Sequence, residues 1–205
     1  MSLALRDNWI IIGVSGVTCG GKTTLANKLK DTLSPVYLFH QDKYFYPDDS
    51  PHHVKCKNLD HNNYDILPSL NMPLMYDDIV KTINGDNKAH AHNLERSHGK
   101  LEVEGKKFMI LEGFTVLNYK PINEICHLRY YFVLEYVECL NRRVYRLYDP
   151  PDIDGYFDQC VWPEHLKYRA EIEKDARVSI IHGTRQDSFD IVISDIKSMG
   201  TAKIL

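Results

Sequence analysis

The chain has 205 residues, enough for one domain with a substantial core, and its 43% hydrophobic and 26% charged content excludes disordered and collagen-like classes. A formal net charge of −3 lacks the basic excess that a nucleic-acid backbone calls for, and no apolar run approaches the length of a membrane span. Five widely spread cysteines without a C-x-x-C pair read as reduced thiols, so the expectation is a soluble cytoplasmic protein with neither nucleic acid nor membrane as partner.

In chain order, Trp9-Ile10-Ile11-Ile12-Gly13-Val14 reads as a buried parallel strand. Directly after it, Gly16-Val17-Thr18-Cys19-Gly20-Gly21-Lys22-Thr23 matches the phosphate-loop pattern G-x-x-x-x-G-K-[ST]. Glycines let successive backbone N–H groups face phosphate oxygens, Lys22 adds a positive charge, and Thr23 offers a hydroxyl to magnesium. Past Thr24, leucines at 25, 29 and 33 mark a helix stripe. Val36 to His40 reads as a second strand ending in Gln41-Asp42, and 47–63 as a loop or substrate flap rich in Pro, Asp, His and Asn. Asn71 and Pro73 open a helix with Met72, Met75, Ile79 and Ile83 on one stripe, closed by Gly85. Residues 86–106 read as a polar connector with a hairpin at Lys100 to Gly105. Phe108 to Leu111 is a third strand ending in Glu112-Gly113, and Tyr130 to Leu134 a fourth. The next helix carries Val137, Leu140, Val144 and Leu147 along one side, with Arg142 and Arg146 opposite and Arg143 on the flank. The stretch from Pro150 to Gly155 breaks it, Trp162-Pro163-Glu164 starts another helix, Ser179 to Gly183 is a last strand, and 187–199 a closing helix. The fold class is α/β: a three-layer phosphate-loop fold with a mainly parallel five-stranded sheet and a helical lid near 142–160, in one domain.

In open parallel sheets ligands gather at the carboxyl ends of the strands, which puts Asp42 and Glu112 beside the phosphate loop. Phosphoryl transfer needs a magnesium ion and a group to accept a proton from the attacking hydroxyl, and two acids there can supply both. Arg142, Arg143 and Arg146, just before a Pro- and Gly-containing turn, suit a lid that delivers positive charge over a γ-phosphate. His52, His53, Cys56 and His61 have no paired metal-ligand spacing and read as loop residues, as do His90, His92 and His98. Thirteen tyrosines supply stacking surfaces.

With these motifs in place, the chain resembles the nicotinamide riboside kinases of the uridine kinase-like group, from about Ile10 to Asp187. The resemblance is carried by Ile12 to Thr18 with Gly21 to Ala26, Gln41-Asp42, Tyr64-Asp65 with Leu70-Asn71-Met72, Leu111 to Phe114 and Asn118 to Pro121. The most specific block is Tyr148 with Pro150-Pro151-Asp152, Gly155 to Asp158 and Val161-Trp162-Pro163. The sequence departs from the family pattern at Cys19-Gly20, at Lys43 (where relatives often carry a second acid) and at Asn141, and matches poorly over 47–63 and 86–106.

The resemblance implies ATP- and Mg²⁺-dependent phosphorylation of the 5′-hydroxyl of nicotinamide riboside, with nicotinic acid riboside as a second acceptor. A uridine/cytidine kinase and a catalytically silent nucleotide-binding scaffold are the alternatives. It implies Asp42 as catalytic base and, with Thr23 and Glu112, in the magnesium shell. Asp65 and Arg143 would hold the ribose, and Tyr64 and Tyr148 the two faces of the nicotinamide. Arg142 and Arg146 would clamp the ATP phosphates, and Arg185-Gln186-Asp187 would lie along the adenine. The positively charged pyridinium suits aromatic faces through cation–π attraction.

Overall fold

A computed structural model describes residues 7–86, 94–97, 99–200 and 202–204. Its main sheet contains β1 (Trp9–Gly16), β2 (Val36–His40), β3 (Leu94–Ser97), β5 (Lys107–Glu112), β6 (Leu128–Val133) and β7 (Ser179–His182). Their order is β3-β2-β5-β1-β6-β7, while β4 (Leu101–Val103) pairs separately with β8 (Ala202–Ile204). The five expected strands run parallel, and β3 adds a sixth, antiparallel strand on β2 at the edge.

Alternation along β1 splits the core between the two faces of the sheet. Trp9 and Ile11 join Met109, Leu111 and Tyr131 beneath α2 (Met72–Ile83), α3 (Lys120–Ile125) and Ile172 of α5 (Trp162–Ile172). Ile10, Ile12 and Val14 join Phe108, Ile110 and Tyr130 beneath α1 (Lys22–Thr32) and α6 (Ser188–Ser198). The result is three layers, as the alternation of elements implies. Asn71 caps α2 by accepting the Leu74 N–H at 3.1 Å.

Three expectations are corrected. The segment 100–105 is no hairpin: β4 turns through Gly105 (φ +71°) toward β5 but takes its ladder partner from β8. The helix α4 (Tyr136–Arg143) stops before Leu147, and of its expected apolar stripe only Leu140 packs inward, half-buried, while Val137 is 64%, Val144 66% and Leu147 fully exposed. Its buried side is Cys139 and Arg143, because that face meets the phosphate loop instead of the core. Finally, the cysteines are not all free thiols: Cys56 and Cys160 form a disulfide, while Cys19, Cys126 and Cys139 remain free. Folding brings these two together across 104 residues, the flap meeting a π-helical turn (Phe157–Val161) in a cluster with Val17, Cys139 and Tyr156.

Candidate active site

The phosphate loop springs from the end of β1, and its shape demands glycine at the start. Gly16 has φ +117°, and a Cβ there would lie 2.1 Å from the Phe132 carbonyl oxygen. Cys19 is also left-handed (φ 58°), and Gly21 (φ 98°) leads into α1. The buried Lys22 ammonium donates to the Val17 carbonyl at 2.8 Å. Burial pushes its pKa down, against the pull of Glu112 and Asp42.

Parallel pairing sets the acids around this loop. Glu112 ends β5 level with His40 of β2 and Val14 of β1. It accepts from the Thr23 hydroxyl at 3.1 Å on Oε1 and meets His40 Nδ1 at 2.8 Å on Oε2. Burial works to raise its pKa, but His40, Lys22 and Thr23 hold it below the ordinary carboxylate range. Asp42 follows in the turn Gln41–Tyr44. The buried Gln41 fixes that turn, accepting from Thr115 N and donating to Thr115 Oγ1, both at 3.0 Å. Asp42 stays open to solvent through the cleft, and loss of hydration together with the nearby Glu112 charge pushes its pKa up.

One cleft of about 300 Å³ joins these groups to the predicted acceptor residues. Lys22, Thr23, Asp42 and Glu112 line it together with Tyr64, Asp65, Arg143 and Tyr148. Arg143 is buried and makes a two-pronged pair with Asp152, Nε–Oδ2 2.6 Å and Nη2–Oδ1 2.9 Å. The same guanidinium donates to Thr18 Oγ1 at 3.2 Å and stacks 4.1 Å above the Tyr148 ring. Tyr148 in turn shares a hydroxyl contact with Thr18 at 3.1 Å. Tyr64 donates to Asp48 at 3.0 Å, and Phe45 stands edge-on to its ring.

A second, more open cavity of about 350 Å³ is lined by Cys19, Gly20, Gly21, Lys22, Thr23 and Thr24 with Arg142 and Arg146. Arg142 donates to the carbonyls of Cys19 and Gly183 at 3.2 Å each, and Arg146 reaches toward the Cys19 sulfur at 3.9 Å. The two cavities share Lys22, Thr23 and Arg146, so the phosphate loop stands between them. Arg185, Gln186 and Asp187 line neither; Arg185 and Asp187 pair with each other at the surface at 2.6 Å.

Several residues in this arrangement escaped the sequence reading as site members. His40 and Tyr156 were invisible because a strand-end histidine and one tyrosine among thirteen carry no pattern. Asp152 lay inside the specific lid block, which was the available signal. The flap histidines take no common ligand position: His53 and His61 pack their rings on Tyr64, at 5.0 and 5.5 Å, and His52 stacks on Tyr46. Among the described residues no group of three or more His, Cys, Asp or Glu side chains could hold a metal ion. Residues 90, 92 and 98 lie outside the described residues. No described helix is long and apolar enough to cross a membrane.

No protein-family model matches the sequence. Curated proteins do. The chain is 37% identical over 194 residues to nicotinamide riboside kinase 1 of Rattus norvegicus, covering 91% of this chain and 93% of the relative. It is 35% identical over 193 residues to nicotinamide riboside kinase 2 of Mus musculus, covering 92% and 96%. A more distant relative is a uridine kinase of Clostridium novyi, 26% identical, covering 93% and 96%.

Proposed function

The chain belongs to the nicotinamide riboside kinase family, and from that membership we propose that it transfers the γ-phosphoryl group of ATP to the 5′-hydroxyl of nicotinamide riboside. The observation that carries the proposal is that one cleft is lined both by phosphate-loop residues with two carboxylates and by the Tyr64, Asp65, Arg143 and Tyr148 group.

The donor side is read from charge. Backbone N–H groups of residues 16–24 cradle the phosphates, Lys22 holds the β- and γ-oxygens, and Arg142 and Arg146 approach from above. The donor set fits magnesium, which takes one or two carboxylates plus substrate phosphates rather than an all-protein cage. Thr23 Oγ1 lies 3.1 Å from Glu112, and Asp42 lines the same cleft, so three side chains offer hard oxygens there. When bound, magnesium neutralises developing charge on the phosphates.

The acceptor side is read from the other residues of the cleft. Asp65 and Arg143 hold the ribose hydroxyls, Tyr64 and Tyr148 flank the pyridinium, and Asp42 takes the 5′-hydroxyl proton as that oxygen attacks phosphorus. We take 142–160 as a lid closing over both substrates within a single kinase domain. Arg185, Gln186 and Asp187 remain candidates for the adenine edge only if the loop that pairs them opens toward the second cavity.

The test is ADP release by the purified chain with ATP and MgCl₂, offered nicotinamide riboside, nicotinic acid riboside, uridine and cytidine in turn. The expected result is a higher kcat/KM on nicotinamide riboside than on either pyrimidine nucleoside. A preference for uridine would overturn the acceptor assignment, and no ADP release with any of them would favour a silent scaffold.

A further inference from the structure

We propose that His40 is a positioning residue: its imidazole fixes the Glu112 carboxylate against Thr23, and so sets the oxygen donors available to magnesium. The inference rests on the kinase reading above but concerns only the donor half of the cleft.

Sheet register creates the contact. His40 and Glu112 are direct partners across the parallel β2–β5 pairing, and partners in register project to the same face. That face is the one covered by α1, whose first turn brings Thr23 to the same spot. The imidazole takes one oxygen of Glu112 at 2.8 Å and the Thr23 hydroxyl takes the other at 3.1 Å. Both side chains are nearly enclosed, 12% exposed for His40 and 5% for Glu112, so little water competes for the bond. With both oxygens engaged, the Glu112 carboxylate has one orientation.

The ring is itself held from behind. Its other nitrogen, Nε2, faces Glu95 Oε1 at 3.5 Å. Glu95 lies on the antiparallel edge strand β3, opposite Leu38, which puts it on the same face as His40 two residues further along. Lys30 of α1 and Lys43 hold Glu95 at 2.7 and 3.3 Å. A continuous row therefore runs from two lysines through Glu95 and His40 to Glu112 and Thr23. It also explains Lys43, which stands where an acid was expected: its ammonium is engaged with Glu95 and does not line the cleft. Groups that orient a metal ligand in this way typically change metal affinity or activity about 10- to 100-fold when removed.

The experiment is a magnesium titration of nucleotide binding, read by calorimetry with MgCl₂ and the non-hydrolysable β,γ-imido analogue of ATP. His40→Ala is expected to raise the Mg²⁺ concentration for half-maximal tightening by about tenfold. His40→Asn places an amide N–H near the Nδ1 position and is expected to return it to within about threefold of the unaltered protein. His40→Gln reaches toward the Nε2 position and is expected to stay with His40→Ala. An unchanged midpoint in His40→Ala, or Asn and Gln variants that behave alike, would overturn the proposal. If the alanine variant does not fold, the Asn–Gln comparison decides alone. A protein that binds the analogue with Mg²⁺ yet phosphorylates no riboside would remove the acceptor assignment and leave this inference standing.

Discussion

Tyr156 and Asp65 are joined by a hydrogen bond of 2.9 Å, the phenol donating to Oδ2, and the same phenol oxygen accepts the Tyr64 backbone N–H at 2.9 Å. One buried side chain thus sets two neighbouring acceptor-side residues at once. Asp65 needs this donor. Burial pushes its pKa up, and Arg143 and the Tyr156 hydroxyl oppose that.

Tyr156→Phe keeps the ring and removes both bonds. A hydrogen bond to a charged group is worth about 1.5–3 kcal/mol, so KM for the riboside should rise roughly tenfold or more. Because both bonds of the Tyr156 hydroxyl go to Tyr64 and Asp65 and neither to the phosphate loop, kcat should change by less than about threefold. Steady-state kinetics read both, and a fall in kcat with KM unchanged would contradict the assigned role.

Asp42→Asn preserves shape and removes the proton acceptor. Turnover should fall by roughly 100- to 10,000-fold, the usual range for a positioned general base. Affinity for the imido analogue of ATP without magnesium should stay within about threefold, since Lys22 and the loop backbone do that binding. Single-turnover kinetics together with calorimetry separate the two effects.

Gly16→Ala tests the loop geometry against a matched control. At Gly16 the new Cβ would meet the Phe132 backbone oxygen at 2.1 Å, whereas at Gly85 (φ +78°) nothing lies within 4 Å. Both substitutions put a side chain at positive φ, and Gly16 (φ +117°) lies further from the left-handed well than Gly85, so the excess cost at Gly16 reports backbone strain and clash together. Chemical denaturation should show Gly16→Ala costing at least about 2 kcal/mol more than Gly85→Ala, with nucleotide binding lost in the first only.

Which of these features a sequence reveals depends on whether its cause is local. Gly16 to Thr23 is legible because the loop is built from neighbours in the chain, and Leu25 and Leu29 are legible because a helix repeats. Asp42 and Glu112 follow from a general rule about strand ends. The side of α4 that turns inward was not legible: Val137, Val144 and Leu147 form a convincing stripe, yet the phosphate loop draws in Arg143 instead. Arg143 tolerates burial because Asp152, nine residues on, neutralises it, and that pairing depends on how the intervening chain turns. The edge strand β3 and the disulfide between Cys56 and Cys160 likewise arise from long-range meeting of segments with no signature of their own.

His165 supplies the last prediction, through stability alone. It is buried, its Nε2 is without a hydrogen-bond partner, and Nδ1 lies 3.4 Å from the Tyr131 hydroxyl. Burial, reinforced by the charges of Arg169 and Lys22, lowers its pKa to about 4. In the unfolded chain the ring titrates near 6.5. Between these values the unfolded state binds more protons than the folded one, so stability rises with pH across the window and is lost as pH falls from about 6.5 to about 4. The loss at pH 4.5 should be on the order of 2–3 kcal/mol relative to pH 7. His165→Phe keeps a flat ring against Tyr131 and Trp162 but has no proton to gain. Whatever its absolute stability, its denaturation midpoint should fall less between pH 7 and 4.5 than that of the unaltered chain. An equal fall in both proteins would place the acid sensitivity on other groups, with the carboxylates around Arg143 and Lys22 the next to examine.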